Sequence, residues 1–215
     1  MSDQNDRTDL PPLAGGTARP SDADRRGAIR RLVRTFRAAL TTEARLEASE
    51  QAAARLLPVL SELRRSLPED RRGSPVVALS VPVDGEIDIT GIAAYLRSDR
   101  WTVVLPVVLD DRNMEFREWP AGGELARGRF RVLEPVQGEV LQPDIVVVPC
   151  VAVDDAGNRL GFGKGFYDRA LGSDPRPVAV GAVFDEQVVA AVPSEPWDVP
   201  LDMVVTPTRV IRPDR

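Results

Sequence analysis

The apolar positions of this chain change their period partway along it. After the cap signature SDAD, Ile29, Leu32, Val33, Phe36 and Leu40 recur at helical spacing and predict a helix over about 23–40. Thr41 or Thr42 caps a second helix with Leu46, Ala53, Leu56, Leu57, Leu60 and Leu63 on its apolar face, running to about Ser66 before Pro68 stops it. Beyond PEDRRGSP the pattern becomes short continuous runs: VVALSV, WTVVLPVVL, DIVVVPCVAV, PVAVGAVF and DMVVTPTRVI. Val-rich runs that do not alternate are strands covered on both faces. ITGIAAYLRSD fits a helix between the first two, and the end of GKGFYDRALGS fits one between the third and fourth. Strand, helix and strand in repetition predict an α/β fold, a three-layer Rossmann-like and mainly parallel sheet flanked by helices, with the N-terminal helices added. Residues 110–140 are Glu-, Arg- and Gly-rich with scattered aromatics, and read as irregular with a short strand pair. Residues 1–21 read as a disordered tail and 22–215 as a single domain.

Composition narrows the chemistry. With 215 residues, 43% hydrophobic and 28% charged, the chain can bury one sizeable core. Its net charge of −5 and dispersed cations predict no nucleic-acid partner. No apolar run reaches membrane-spanning length and the first residues, MSDQNDRTDLPPLAGG, are polar, so no membrane partner and a cytoplasmic location are expected. The single cysteine, Cys150, ends an apolar run and reads as a buried packing thiol. There is no histidine, which excludes Ser-His-Asp and Cys-His triads, a HExxH zinc site and any imidazole base. Carboxylates, cations, backbone amides or a bound metal must do the work.

The segment RLGFGKGFYDRAL, 159–171, follows a strand and opens into a helix, where parallel sheets bind their ligands. Glycines let a ligand approach the main chain, and successive amides before a helix form an anion nest, so phosphate suits it. Lys164 and Arg159 add positive charge. Asp168 beside a phosphate would be repelled unless a divalent cation lay between them, which points to a magnesium nucleotide. The loop is not a Walker A motif, because five residues separate Gly157 from Gly163-Lys164 and Gly165 stands where Ser or Thr should follow. Taken by itself, a tight strand-to-helix turn with Lys164 in solvent satisfies the same glycines.

The longer string DDAGNRLGFGKGFYDRAL resembles the signature of the 5-formyltetrahydrofolate cyclo-ligase family, also called methenyltetrahydrofolate synthetases. ALSVPVDGEIDI, NMEFREW, FRVLEP and EPWDVPLDMVVTP resemble its other landmarks, in the same order, over about 25–211. The resemblance implies an enzyme that uses ATP and Mg2+ to convert 5-formyltetrahydrofolate, with or without a polyglutamate tail, to 5,10-methenyltetrahydrofolate, releasing ADP and phosphate. In the family the formyl oxygen is phosphorylated and N10 then attacks, so catalysis is mostly positioning and charge neutralisation, which needs no histidine.

Carried over by position, the resemblance assigns ATP phosphates to Arg26 and Arg30, and the nucleotide cradle to Arg159, Gly161, Gly163, Lys164, Gly165, Phe166 and Tyr167. Lys164, Arg159 and Tyr167 take the catalytic roles. Asp168 and Asp198 match the magnesium positions, with Asp198 as a plain turn residue the competing reading. Asp154 and Asp202 are structural neighbours. Folate falls to Val81, Glu86, Met114, Phe116, Trp119, Phe162 and Phe166, where flat aromatic surface suits the pterin and benzoyl rings. The chain departs from the pattern with Arg26 where Lys is usual, Phe162 where some relatives carry Arg, and Phe166 where many carry Tyr. A monomer is implied. A folate- or nucleotide-binding paralogue without cyclisation activity and a sugar-phosphate-binding regulatory module are the rival readings.

Overall fold

A computed structural model describes residues 21–214; apart from Ser21, the segment read as a tail lies outside the described residues. Helix α1 (Asp22–Ala39) starts at a capping box in which the Ser21 hydroxyl accepts from the Asp24 amide at 3.2 Å. Thr41 caps α2 (Thr42–Ser66) with a single bond, its hydroxyl accepting from the Ala44 amide at 3.1 Å. The remaining elements are α3 (Glu69–Arg72), β1 (Val76–Ala78), α4 (Ala93–Ser98), β2 (Thr102–Val108), β3 (Met114–Glu118), β4 (Leu125–Arg127), β5 (Leu133–Pro135), β6 (Ile145–Pro149), β7 (Ala152–Val153), β8 (Arg159–Leu160), α5 (Phe166–Leu171), β9 (Val178–Ala182), β10 (Met203–Val205) and β11 (Val210–Ile211).

Seven strands form one sheet in the order β11-β10-β9-β6-β1-β2-β3. The five inner strands run parallel, and β3 and β11 pair antiparallel at the two edges. The twofold period of a strand divides the valines between two cores. Val77, Val103, Ile145, Val147 and Val180 face the layer of α2 and α4, where they meet Ala52, Leu56, Leu60 and Leu96. Ala78, Val104, Val146, Val148 and Val204 face the other way, onto Leu171 of α5, Leu201 and Phe116. Continuous Val runs are therefore required on a sheet buried from both sides. The three-layer, mainly parallel architecture predicted from the pattern is present.

Three departures have physical causes. Residues 202–211, read as one strand, are a hairpin, since Pro207 has no N–H for a ladder and Thr206 closes the turn by donating to Arg209 at 2.9 Å. The run 144–153 stops at Pro149, and its last residues pair antiparallel as β7 with β8. That hairpin delivers the glycine segment to the top of the sheet. Within 110–140, β4 and β5 form the short strand pair that was read there, and the departure is β3, which pairs with β2 and extends the main sheet. Among the described residues no helix is long and apolar enough to cross a membrane.

Candidate active site

A cleft of about 1190 Å³ opens at the carboxyl ends of β1, β2 and β6. Its floor is the chain leaving β1, Ser80 to Asp84 with Glu86, and its walls are α1, the glycine loop and residues 193–198. Helix α1 reaches this position because Ile29 and Val33 pack against Val151, Ala152 and Leu160 of the β7–β8 hairpin. Arg26 and Arg30, one turn apart, then face the cleft.

The glycine loop is held by arginines of two helices, Arg30 of α1 and Arg169 of α5. Gly163 and Gly165 have φ of +88° and +70°, a region closed to most side chains. A Cβ at Gly163 would lie 3.3 Å from Arg30 Nη2, and one at Gly165 2.8 Å from Arg169 Nη1. Arg30 Nε donates to the Gly161 carbonyl at 3.0 Å, and Arg169 Nη2 donates to the Lys164 carbonyl at 3.1 Å. Lys164 Nζ lies 5.4 Å from the Phe130 ring centroid, and that ring packs against Phe166 with centroids 5.9 Å apart.

The four predicted cations divide into two kinds. Arg159 is buried, gives Nε to the Val199 carbonyl at 3.1 Å and Nη2 to Asp168 Oδ1 at 2.5 Å. Arg26 Nη2 is bonded to Glu195 Oε1 at 2.6 Å. Arg30 and Lys164, by contrast, are ion-paired to no carboxylate among the described residues, so their charge faces the cleft uncompensated. Asp168 takes both of its protein donors, Arg159 and the Val199 amide, on Oδ1. Asp198 Oδ2 accepts from the Glu195 amide at 2.8 Å while its own amide donates to the Glu195 carbonyl at 3.0 Å, closing a turn. The turn role anticipated for Asp198 is thus observed, and the residue lines the cleft as well.

Glu86 is 5% exposed. Burial pushes its carboxyl up to about 7, against the pull of the Arg37 guanidinium. Tyr167 is half-buried, and burial with Glu86 nearby raises its phenol above the ordinary tyrosine value, so it stays a neutral donor. Cys150 is buried and pushed up to about 12, chiefly by burial, in keeping with a packing thiol. Asp154 gathers the Ala156, Asn158 and Val192 amides and is structural, as read; Asp202 accepts from the Ala179 amide.

Of the predicted site residues, Arg26, Arg30, Val81, Glu86, Met114, Arg159, Gly161, Phe162, Gly163, Lys164, Gly165, Phe166, Tyr167, Asp168 and Asp198 all line this one cleft. Phe116 and Trp119 do not, and this is a correction. Met114 sits opposite Val108 at the carboxyl end of β2, but Phe116 lies two residues deeper along β3 and is 6% exposed in the second core. Trp119 lies beyond β3 at the far end of the sheet, where its amide donates to Val103, its indole N–H donates to Gly123 at 3.1 Å and Arg97 covers its ring. Phe130, Glu195 and Trp197 line the cleft without having been singled out. Phe130 was legible only as an aromatic in a segment read as irregular, and Trp197 as one in the Pro-rich turn EPWDVP. Nothing local marks Glu195, which meets Arg26 across 169 positions of sequence.

Fold and cleft together define an α/β protein with a cationic glycine loop beside an apolar, aromatic-edged floor holding one buried carboxylate. Comparison with known proteins agrees. Residues 22–207 match the model of the 5-formyltetrahydrofolate cyclo-ligase family. The chain is 34% identical over 191 residues to the 5-formyltetrahydrofolate cyclo-ligase of Escherichia coli K12, covering 83% of this chain and 98% of that protein. It is 30% identical over 189 residues to the enzyme of the same name from Haemophilus influenzae, covering 84% and 96%. The solved structure of Aquifex aeolicus 5,10-methenyltetrahydrofolate synthetase superposes with a TM-score of 0.68 at 33% identity, covering 87% of this chain and 92% of that one. The chain belongs to the 5-formyltetrahydrofolate cyclo-ligase family.

Proposed function

We propose that this chain converts 5-formyltetrahydrofolate to 5,10-methenyltetrahydrofolate at the expense of ATP with Mg2+, as a cytoplasmic monomer whose single domain spans 22–215. The observation that carries the ATP reading is the pair of uncompensated cations, Arg30 and Lys164, on a glycine loop at the carboxyl end of a parallel sheet. The residues fit the nucleotide: φ of +88° and +70° at Gly163 and Gly165 bares the backbone, and a Cβ at Gly163 would press on Arg30. They also fit the metal in part. Among the described residues no cluster of three or more acidic, His or Cys side chains gathers, so Asp168 and Asp198 would hold Mg2+ with phosphate oxygens and water completing its shell. Bound there, the ion neutralises phosphate charge.

The chain's own groups then do the following. Arg30, Lys164 and the loop amides hold the phosphates against the formyl group and take up charge as a phosphoryl group transfers. Met114, Phe162 and Phe166 form the apolar face for the folate rings, while Glu86 receives a substrate N–H from below. In net balance the formyl C–O bond breaks with the oxygen leaving on phosphate, a bond forms from the formyl carbon to N10, the N10 proton passes to water, and ADP and phosphate are released. Phe166 keeps the aromatic surface and packs on Phe130, so the missing hydroxyl costs no contact seen here.

The test is the absorbance rise of the methenyl product on mixing protein, 5-formyltetrahydrofolate, ATP and Mg2+. A rise that requires both ATP and Mg2+ is expected. No rise from folded protein that still binds ATP would overturn the reading in favour of a paralogue without cyclisation activity.

A further inference from the structure

Glu86 is held by a residue that does not line the cleft. Arg37, near the end of α1, is 4% exposed and is absent from the cleft lining. Its Nη2 donates to the Cys150 carbonyl at 2.8 Å, and that carbonyl also accepts from Gln187 Nε2 at 2.8 Å. Its Nη1 stands 3.5 Å from Glu86 Oε1. On the other side, Glu86 Oε2 accepts from the Val83 amide at 3.1 Å. Gly85, with φ of +73°, brings the backbone against Arg37, where a Cβ would lie 3.4 Å from Arg37 Cβ. Glu86 Oε1 and Arg37 Nε are both buried without a hydrogen-bond partner. Oε1 is thus turned toward Arg37 and sealed from solvent, Glu86 lines the cleft with the rest of its side chain, and the arginine that faces it is anchored to the end of β6.

From this geometry we infer that Arg37 is a positioning residue: without touching substrate, it holds one carboxylate oxygen and fixes the direction and charge of Glu86, so that the carboxylate accepts a hydrogen bond from an N–H of the folate substrate at the cleft. The inference rests on the folate reading above. A carboxylate in such a site would otherwise neutralise, because burial costs a charge far more than a hydrogen bond returns. Neutral Glu86 presents a hydroxyl donor where an acceptor is needed. Arg37 cannot lose its proton at ordinary pH, so the pair titrates through Glu86. Arg45 of α2 packs behind Gly85, Asp84 precedes it in the turn and opposes the ionisation of Glu86, and Cys150 and Tyr167 are both kept protonated by burial.

The experiment compares wild type, Arg37→Gln and Arg37→Lys as full chains, measuring equilibrium binding of 5-formyltetrahydrofolate, KM and kcat between pH 5.5 and 9. Wild type is expected to bind well above about pH 7 and to weaken below it. Arg37→Gln should move that inflection upward by about one unit, so that KM near pH 7 rises roughly fivefold with kcat little changed, and Arg37→Lys should restore most of the shift. An unmoved inflection in Arg37→Gln overturns the inference while leaving the folate reading intact. Absence of 5-formyltetrahydrofolate binding by wild type at every pH overturns both. If Arg37→Gln does not fold, Glu86→Gln with Arg37 in place serves instead. Its binding should lose the inflection, and retention of it would also overturn the inference.

Discussion

At the scale of single residues, two carboxylates in one cleft have opposite environments. Glu86 is raised to about 7 by burial, whereas its unfolded value is near 4.5. A folded-state value above the unfolded one means that the native protein binds the extra proton, so its stabilising effect is complete below about pH 4.5 and lost as pH rises through 7. Glu86→Gln carries no such titration. Its stability relative to wild type should climb by roughly 3 kcal/mol between pH 4.5 and 8, read from urea midpoints, and a flat difference would contradict the burial argument. Asp168 is instead bonded to buried Arg159, so Asp168→Asn should do two things at once. It should weaken the Mg2+ dependence of turnover, and it should lower stability by about 1–3 kcal/mol by replacing a charged partner of Arg159 with a neutral one. Unchanged magnesium dependence with lowered stability would leave Asp168 a purely structural role. Sequence shows that an Asp follows the glycines. It does not show that an arginine nine positions earlier occupies one of its oxygens.

At the scale of elements, the glycine loop and the 195–198 turn dock on α1 at Arg30 and Arg26, two positions one helical turn apart and separated by about 6 Å of rise. The loop was legible because its chemistry is local: bare backbone, a cation and a helix start within a dozen residues. The turn was not, because Glu195 acquires meaning only when α1 is laid beside it. Phe116 and Trp119 went astray for a related reason, since residue type marks them as aromatic surface but only strand register decides which end of β3 each occupies. Trp197, 70% exposed on the cleft rim, makes the arrangement measurable, because Trp101 is buried and Trp119 lies at the other end of the sheet. ATP should change Trp197 emission. In Gly163→Ala, a left-handed backbone and contact with Arg30 oppose the new methyl at a cost of about 1–2 kcal/mol, so the loop should relax away from this conformation and the midpoint of that titration rise roughly five- to thirtyfold. An unchanged midpoint would remove the glycine's conformation from the account of binding.

At the scale of the whole molecule, the cleft is assembled from segments distant in the chain: α1, the turn after β1, the start of β3, the loop before α5 and residues 193–198. The sheet that gathers them was readable from five Val-rich runs, because a strand buried on both faces has no freedom to be polar. The arrangement of Arg30, Lys164 and Asp168 therefore depends on the sheet and not on any one segment. A nucleotide bound there stabilises the native state alone, so its effect appears in global unfolding. At a hundredfold excess over Kd, mass action gives about 2.7 kcal/mol. For a chain of this length that corresponds to a rise of roughly 5–10 °C in Tm with ATP and Mg2+. Arg30→Ala should remove most of the rise while leaving the ligand-free Tm within about 2 °C, because Arg30 makes one partly buried bond to Gly161 and no ion pair in the described structure. A full shift retained by Arg30→Ala would place the phosphates elsewhere and deprive the glycine loop of the role that its geometry supports.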